Sequence, residues 1–372
     1  MDALAIDTLD HAALSGVLTV DLAALRANWR LMAERSAPAV CGAVVKADAY
    51  GLGAAEVAPA LYREGCRHFF VAHLMEAAAL RPFLPPDVTL YVLNGLMPGG
   101  EAFAAAQGFV PVLNSLEQVR RWAQVARKRS ERLPGVLQFD TGMSRLGLSP
   151  HEAATLHEAP DLLDGLDLRF VMSHLASADE PESAQNGDQL LAMQSAAEAF
   201  GGAPICFANS GGVLLGGAYL GAMVRPGIAL YGASPRANGP NPMKPVVSLS
   251  IRVIQTRSVP PGARIGYSGT HVAAQPMRLA TLAAGYADGL PRSLSSRGSA
   301  WFEGARLPIV GRVSMDSMTI DISALPPGGL GLGSLVELVG DHQRLEDLAR
   351  DAGTISYEIL TSLGRRYQRV YR

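Results

Sequence analysis

A single lysine ends a run of small and β-branched apolar residues near the start of the chain. The stretch Val44-Val45-Lys46-Ala47-Asp48-Ala49-Tyr50-Gly51 reads as a buried strand that delivers Lys46 to its tip, followed by a turn. Burying an ammonium group is costly, so a lysine in such a position tends to lose its proton. A neutral lysine amine is a natural Schiff-base former. The alternative is a strand-end lysine whose charged tip reaches solvent, and these eight residues leave both interpretations open.

Eight short apolar segments alternate with helical segments over the first two thirds of the chain. Helices are predicted at positions that include 74–84, 115–129 and 183–199, and strands at about 43–46, 69–72, 89–93, 110–113, 136–139, 170–173, 205–208 and 222–224. Alternation of this kind predicts parallel β/α units, and eight units predict a closed (β/α)8 TIM-type barrel.

The residues that end these eight strands are all polar or charged. In chain order they are Lys46, His73, Asn94, Asn114, Asp140, His174, Asn209 and Arg225. Such ends converge at one mouth of a β/α barrel, where the active site lies. Strand ends must meet solvent somewhere, so polar residues are also expected there without a site. Eight in succession, mostly of chemically useful types, favour a site.

Two glycine-containing turns follow the seventh and eighth strands. Ala208-Asn209-Ser210-Gly211-Gly212 offers backbone amides and a hydroxyl, and Arg225-Pro226-Gly227-Ile228 adds a guanidinium and a second turn. Phosphate sites in these barrels favour these two loops. A Schiff-base lysine could attack a carbonyl substrate directly or carry pyridoxal phosphate, and only the second use needs a phosphate cradle.

After about residue 245 the pattern changes to a second, mainly β domain. Strands are predicted at Val246 to Ser258, Leu279 to Ala284, Leu307 to Val313, Ser317 to Ile322 and Ser334 to Val339, with a helix at 344–352. We therefore predict a barrel domain over 1–245 and a β domain over 246–372. Residues 1–16 are predicted to be a loosely structured leader. A short strand at 17–20 could join the β domain, and Asp21 is predicted to cap the helix that follows.

The composition limits the function classes. The chain has 372 residues, 48% hydrophobic and 18% charged, and a formal net charge of −2. These values predict a large folded core and give no sign of a nucleic-acid-binding surface. No membrane span, secretory signal or metal-binding pattern is apparent. Three scattered cysteines favour a reducing compartment, so a cytoplasmic location is expected.

Six motifs, in order, resemble the alanine racemase family over both domains. They are the stretch around Lys46, Asp140-Thr141-Gly142-Met143-Ser144-Arg145-Leu146-Gly147, Arg225-Pro226-Gly227-Ile228-Ala229-Leu230-Tyr231-Gly232, Ala284-Gly285-Tyr286-Ala287-Asp288-Gly289, Gly311-Arg312-Val313-Ser314-Met315-Asp316 and Tyr357-Glu358-Ile359-Leu360-Thr361. The resemblance implies a pyridoxal-phosphate-dependent isomerase that interconverts L- and D-alanine and acts as a homodimer with shared active sites.

The resemblance also implies a role for each matched residue. Lys46 would carry the cofactor and act as the base on the D-amino acid, and Tyr286 would be the opposite base, supplied by the partner subunit. Arg145 and the backbone of Met315 would bind the substrate carboxylate. Arg225 would face the pyridine nitrogen, with His174 near the ring and hydrogen-bonded to that arginine. The phosphate would be held near strands seven and eight by Tyr50, Asn209, Ser210, Gly227, Ile228 and Tyr357.

One position departs from the family pattern. Many relatives have a carbamylated lysine two residues before the aspartate of the Asp-Thr-Gly-Met motif, and here that position is Gln138. Since an amide carries no negative charge, we predict activity that does not depend on bicarbonate. The open alternatives are a racemase of broader specificity, acting on serine or basic amino acids, a non-catalytic pyridoxal-phosphate-binding barrel, and a decarboxylase of related fold.

Overall fold

The computed structural model describes residues 14–236 and 238–372. Within them the chain divides into two compact units, residues 25–244 and residues 14–24 together with 245–372. The predicted leader over residues 1–16 falls largely outside the described residues. The described chain then enters strand β1 (Gly16–Val20) and helix α1 (Leu22–Ser36). The carboxylate of Asp21 accepts a hydrogen bond from the amide of Ala24 at 2.8 Å, which confirms the predicted N-cap.

The first unit is built from strands and helices that alternate along the chain. They are β2 (Val40–Cys41), β3 (Ala43–Val44), α2 (Lys46–Tyr50), α3 (Ala54–Arg63), β4 (His68–Val71), α4 (Leu74–Leu80), β5 (Thr89–Val92), α5 (Glu101–Gln107), β6 (Val110–Leu113), α6 (Leu116–Arg129), β7 (Leu133–Gln138), α7 (Pro150–Glu158), β8 (Leu166–Met172), α8 (Ala184–Ala199), β9 (Ile205–Cys206), α9 (Ser210–Leu215) and β10 (Met223–Val224).

The strands of this unit close into a barrel. They pair in the order β2-β10-β9-β8-β7-β6-β5-β4-β3, and all of these pairings are parallel. The two ends of the sheet, β2 and β3, are consecutive segments separated only by Gly42, where a Cβ atom would lie 2.8 Å from the Phe70 ring. The sheet therefore has eight strand positions and closes on itself, which confirms the predicted TIM-type barrel.

The eight polar residues predicted to end the strands share one end of this barrel. Each lies within three positions of the last residue of its strand, because the strands end at 44, 71, 92, 113, 138, 172, 206 and 224. The strands are parallel, so all eight positions follow the carboxyl edge of the sheet. The fold thus places the candidate residues of this unit on a single face.

The second unit is mainly β. Its elements are β1 and β11 (Val247–Val259), β12 (Arg264–Ile265), β13 (His271–Val272), β14 (Met277–Leu282), β15 (Ser299–Phe302), β16 (Ala305–Pro308), β17 (Met318–Asp321), β18 (Leu335–Val339), α10 (Leu345–Ala352), α11 (Ser356–Ser362) and β19 (Gln368–Tyr371). β1 pairs antiparallel with β11 and parallel with β19, so the strand predicted at 17–20 belongs to this sheet. The mainly β character of the C-terminal region is confirmed.

Several details of this unit differ from the sequence prediction. The strand predicted over Leu307 to Val313 is β16, which ends at Pro308, a residue without the amide donor that continues a ladder. β12, β13, β15, β19 and helix α11 were not predicted, and the first two have only two residues each. No helix in the described ranges is long and apolar enough to cross a membrane. The same ranges contain no cluster of three metal-ligating side chains.

Candidate active site

Lys46 opens a left-handed helical turn at the mouth of the barrel. Strand β3 ends at Val44, two residues earlier than the sequence predicted, and Ala47, Asp48 and Ala49 have φ of 52–54° with ψ of 47–52°. Non-glycine residues disfavour this conformation by roughly 1–2 kcal/mol each, so specific contacts must hold the turn. One of them joins the carboxylate of Asp48 to the amide of Ala54 at 2.8 Å.

The surroundings of Lys46 favour its neutral amine. Loss of solvent lowers the pKa of Lys46, and the positive charges of Arg145 and Arg225 lower it further, while Glu76 partly offsets them. A neutral amine is the form that attacks a carbonyl and the form that accepts a proton. The sequence left two interpretations open, a Schiff-base lysine and a lysine whose charged tip reaches solvent. These surroundings support the Schiff-base lysine.

Arg225 is a buried cation with an unsatisfied donor. Its residue is 3% exposed, one terminal nitrogen donates to the carbonyl oxygens of Ser173 at 2.6 Å and Phe207 at 3.4 Å, and its Nε has no partner within the described residues. Buried guanidinium donors are normally satisfied. The unpaired Nε therefore indicates a missing acceptor, and a pyridine nitrogen is one such acceptor.

His174 lies close to this arginine without the hydrogen bond that was expected between the two. In the part of the chain that the structure describes, Arg225 donates to main-chain carbonyls and the His174 ring has no recorded bond to it. Loss of solvent, followed by the charges of Arg225, Arg145 and Lys46, holds the pKa of His174 well below its usual range. Its imidazole is therefore neutral near pH 7, because burial first and the neighbouring positive charges next disfavour the protonated ring.

Hydroxyl groups and glycine turns meet after β9 and β10. The hydroxyl of Ser210 accepts hydrogen bonds from the amides of Gly227 at 2.9 Å and Ala229 at 3.2 Å. A Cβ atom at Gly227 would lie 2.3 Å from the hydroxyl oxygen of Tyr50. The side chain of Asn209 caps α9 by accepting from the amide of Gly212 at 2.9 Å. Ile228, the residue after Gly227, is also buried. These contacts bring the predicted phosphate ligands of the barrel together.

These residues fit pyridoxal phosphate. Two hydroxyls and a glycine turn form a cradle of the kind that binds phosphate, a buried arginine has a free N–H, and a lysine at the same mouth has a lowered pKa. Tyr231 supports the cradle, since its ring lies 4.5 Å from that of Tyr50 and its hydroxyl donates to the carbonyl of Val44 at 2.8 Å.

A tight turn after β7 presents Arg145. One carboxylate oxygen of Asp140 accepts from the amides of Gly142, Met143 and Ser144, each at 3.0 Å. Although loss of solvent raises the pKa of Asp140, these three hydrogen bonds leave it below its usual value. Asp140 is therefore the organiser of the turn, and Arg145 is exposed and available to a carboxylate ligand.

Gln138 lies at the end of β7, beneath this turn. It is 7% exposed. Its main-chain carbonyl oxygen accepts a hydrogen bond from the amide of Leu148 at 2.7 Å, and this bond closes the base of the loop that carries Arg145. Its side chain is thus a neutral amide in a buried position.

In the β unit, Tyr286 and Met315 belong to two loops that are tied together. The amide of Tyr286 donates to the carbonyl of Ser314 at 3.0 Å, and the amide of Ala287 donates to that of Met315 at 2.9 Å. Tyr286 and Met315 are 44% and 53% exposed, so both side chains are accessible. Tyr357, on α11, is also exposed.

Arg366, which the sequence analysis missed, also joins these loops. It donates to both carboxylate oxygens of Asp288 at 2.6 and 2.8 Å and to Asp316 at 2.7 Å. Asp288 is only 1% exposed, and a bidentate pair of this kind fixes geometry strongly. The only sequence signal was an aspartate in each of two motifs with no cation assigned to either.

Tyr267 is a third exposed tyrosine of this unit, after Tyr286 and Tyr357, and the sequence analysis missed it. It is 69% exposed and lies in a turn where Gly266 has φ +73° and a Cβ atom would meet the amide of Arg312 at 3.0 Å. The guanidinium of Arg312 donates to the hydroxyl of Ser268 at 3.0 Å. The available signal was a Gly-Tyr pair, the same pair that opens the Tyr286 motif.

Comparisons with known proteins point to one family. Residues 20–235 match the profile described as alanine racemase, N-terminal domain, and residues 246–371 match alanine racemase, C-terminal domain. A protein of Rhizobium johnstonii named "Alanine racemase, catabolic" is 61% identical over 96% of this chain and 95% of its own length. A Brucella canis alanine racemase is 57% identical over 98% and 95%. A crystal structure of alanine racemase from Bartonella henselae with covalently bound pyridoxal phosphate superposes with a TM-score of 0.93, at 42% identity, covering 96% of this chain and 99% of that one.

Proposed function

The chain belongs to the alanine racemase family, and from this premise we propose how its own residues divide the work of interconverting L-alanine and D-alanine. The enzyme is an isomerase that uses pyridoxal phosphate. When bound, this cofactor withdraws electrons from the α-carbon of an amino acid and so makes its α-hydrogen acidic. The observation that carries the assignment is Lys46 at the barrel mouth, where burial first and the charges of Arg145 and Arg225 next lower the pKa of its amine.

Most of the residues assigned to the cofactor and to the substrate carboxylate belong to the barrel, and two belong to the β unit. Lys46 would hold the cofactor, and its amine would exchange a proton with the face of the substrate that D-alanine presents. Tyr50, Asn209, Ser210, Gly227 and Ile228 hold the phosphate, with Tyr357 of the β unit as a further ligand. His174 lies beside the ring. Arg145 and the backbone of Met315 bind the substrate carboxylate, which positions the α-hydrogen for a base.

Arg225 limits the chemistry to proton transfer. Its unpaired Nε suits a hydrogen bond to the pyridine nitrogen, and its permanent charge favours an unprotonated nitrogen there. An unprotonated ring is a weaker electron sink. The α-carbon therefore carries negative charge only briefly, which suits removal and return of one proton better than deeper rearrangement.

Borohydride reduction tests the central assignment. Reducing the holoenzyme should fix the cofactor to one side chain, and peptide mapping should place it on Lys46. A label on any other lysine would contradict the proposal.

The second base is a tyrosine of the β unit, and two candidates are present. The resemblance assigns Tyr286, and the exposure of Tyr267 gives reason to consider it as well. Tyr267 is 69% exposed and lies next to Ser268, which binds Arg312. Tyr286 is 44% exposed and lines a cavity with Leu290 and Glu358. We take the more exposed Tyr267 as the first candidate, and Tyr286 would then shape the access to the site.

The Tyr267→Phe and Tyr286→Phe variants distinguish the two candidates. Loss of the base should reduce kcat for L-alanine by roughly 10²–10⁴-fold, while loss of a residue that only lines the entrance should mainly change KM. If both variants retain kcat, the two-base proposal fails.

The assembly and location are also proposals. We expect a two-fold homodimer in which the β unit of one subunit supplies the second base to the barrel of its partner. A cytoplasmic location agrees with Cys41, Cys66 and Cys206, which are buried free thiols.

Measuring D-product formation from L-serine and L-lysine beside L-alanine would show whether the substrate specificity is broader than alanine.

A further inference from the structure

Glu76 joins the turn that follows Lys46 to a neighbouring element of the barrel. One carboxylate oxygen accepts from the amide of Ala47 at 2.7 Å. The other accepts from the amides of Ala72 at 2.7 Å and His73 at 3.0 Å. The bond to His73 is a capping-box contact at the start of α4. The bond to Ala47 is different, because it reaches across to the residue next to Lys46 and does nothing for the helix.

The turn needs such a contact because its backbone is strained. Ala47, Asp48 and Ala49 are left-handed, and L-residues hold this conformation only where their surroundings impose it. Ala47 is exposed, so packing cannot impose the conformation there. A charged acceptor at 2.7 Å is a strong constraint at this position.

We propose that Glu76 is a positioning residue for Lys46: its carboxylate holds the left-handed turn that places the lysine amine at the mouth of the barrel. This inference rests on the proposed role of Lys46 as the cofactor lysine. Glu76 has a second effect through its charge. The groups that act on Lys46 are Arg145 and Arg225, which lower its pKa, and Glu76, which raises it, with neutral His174 nearby.

The Glu76→Gln substitution separates the cap from the bridge. All three partners are N–H donors, and an amide side chain has only one acceptor oxygen. If that oxygen stays with Ala72 and His73, the helix cap survives and the amide nitrogen faces the Ala47 N–H. The variant should therefore lose the bridge and the charge while keeping the side-chain volume.

Glu152 provides a matched control. It is the capping-box glutamate of α7, accepts from the amide of Ser149 at 3.0 Å, and bridges with its other oxygen to the amide of Leu116 at 3.1 Å. Glu152→Gln makes the same chemical change in the same kind of cap, and Glu152 is not among the charges that act on the pKa of Lys46. It reports what the loss of a bridged cap does to the enzyme in general.

In the holoenzyme, Glu76→Gln should speed pyridoxal-phosphate release and lower kcat, each by on the order of tenfold, with little change in KM. Removing the carboxylate lowers the pKa of Lys46, so the acid limb of kcat with D-alanine should move to lower pH. Glu152→Gln should change none of these. Adding Ala47→Gly to Glu76→Gln should restore part of the lost retention, because glycine adopts left-handed φ freely.

Equal effects of the two Gln variants, or wild-type release and pH profile in Glu76→Gln, would overturn the inference. One measurement does not depend on a variant folding: hydrogen exchange of the Ala47 amide in the unmodified holoenzyme. Protection is expected, and exchange at the rate of an open amide would contradict the bridge. Borohydride mapping on the wild type keeps the two proposals apart, since a label on another lysine sinks the proposed function instead.

Discussion

At the scale of single residues, burial first and the positive charges at the barrel mouth next make His174 sensitive to pH. Its pKa in the folded protein lies well below the usual value, so below a pH of about 6.5 the unfolded chain binds a proton that the folded protein does not. The free energy of unfolding should therefore fall as the pH drops through this range, by up to about 1.4 kcal/mol per pH unit. Urea unfolding at several pH values checks this, and His174→Gln should flatten the slope. Equal slopes in the two proteins would refute it.

Gln138 carries a second residue-scale prediction. An amide cannot be carbamylated, so racemisation in carbonate-free buffer should equal that in bicarbonate. Activity that falls on decarbonation and returns with bicarbonate would contradict this. Gln138→Lys is the informative counterpart, because a buried lysine at this 7% exposed position must lose its charge or gain an anionic partner, and we expect it to become bicarbonate-dependent.

At the scale of elements, the turn after β10 is fixed by the lack of a side chain at Gly227. A Cβ atom there would lie 2.3 Å from the Tyr50 hydroxyl, so Gly227→Ala should push apart two of the proposed phosphate ligands and weaken pyridoxal-phosphate binding by roughly tenfold or more. Equilibrium binding of the cofactor measures this. Gly187→Ala is the control, because that helical glycine has open space around it and should gain about 0.5–1 kcal/mol of stability. Unchanged affinity in Gly227→Ala would exclude the cradle.

The elements also show which features a sequence can predict. Alternating apolar segments predicted all eight barrel positions, since period and length carry that information. The left-handed turn after Lys46 was not predictable, because alanines normally avoid this conformation. Glu76, which accepts a hydrogen bond from the amide of Ala47, lies 29 residues further along the chain. Arg366 and Tyr267 were missed for a related reason. Arg366 pairs with Asp288, and the turn of Tyr267 packs against the loop around Arg312. Both contacts join residues that are far apart in the chain, so no local sequence pattern predicts them.

At the scale of the whole molecule, the groups proposed to carry out racemisation are distributed over both units. Lys46, Arg145 and Arg225 belong to residues 25–244, and both candidate tyrosines belong to the other unit. Because protons must be removed on one face of the α-carbon and returned on the other, a second base has to oppose Lys46. In a two-fold dimer, the β unit of each subunit can supply the second base to the barrel of its partner, so both sites gain that base.

Mixing two inactive variants tests this sharing. Lys46→Ala and the inactivating tyrosine variant should each be silent, yet subunit exchange between them should produce heterodimers with one intact site. Random exchange at equal concentrations predicts recovery of about a quarter of wild-type activity, because half the dimers are mixed and each has one working site. Mixing Lys46→Ala with Arg145→Ala is the control: both changes lie in the barrel, so every site stays defective and no activity should return. No recovery in the first mixture, once subunit exchange is verified, would mean that each chain completes its own site. Recovery in the control would mean that Lys46 and Arg145 serve one site from different subunits, which would contradict a site built on one barrel.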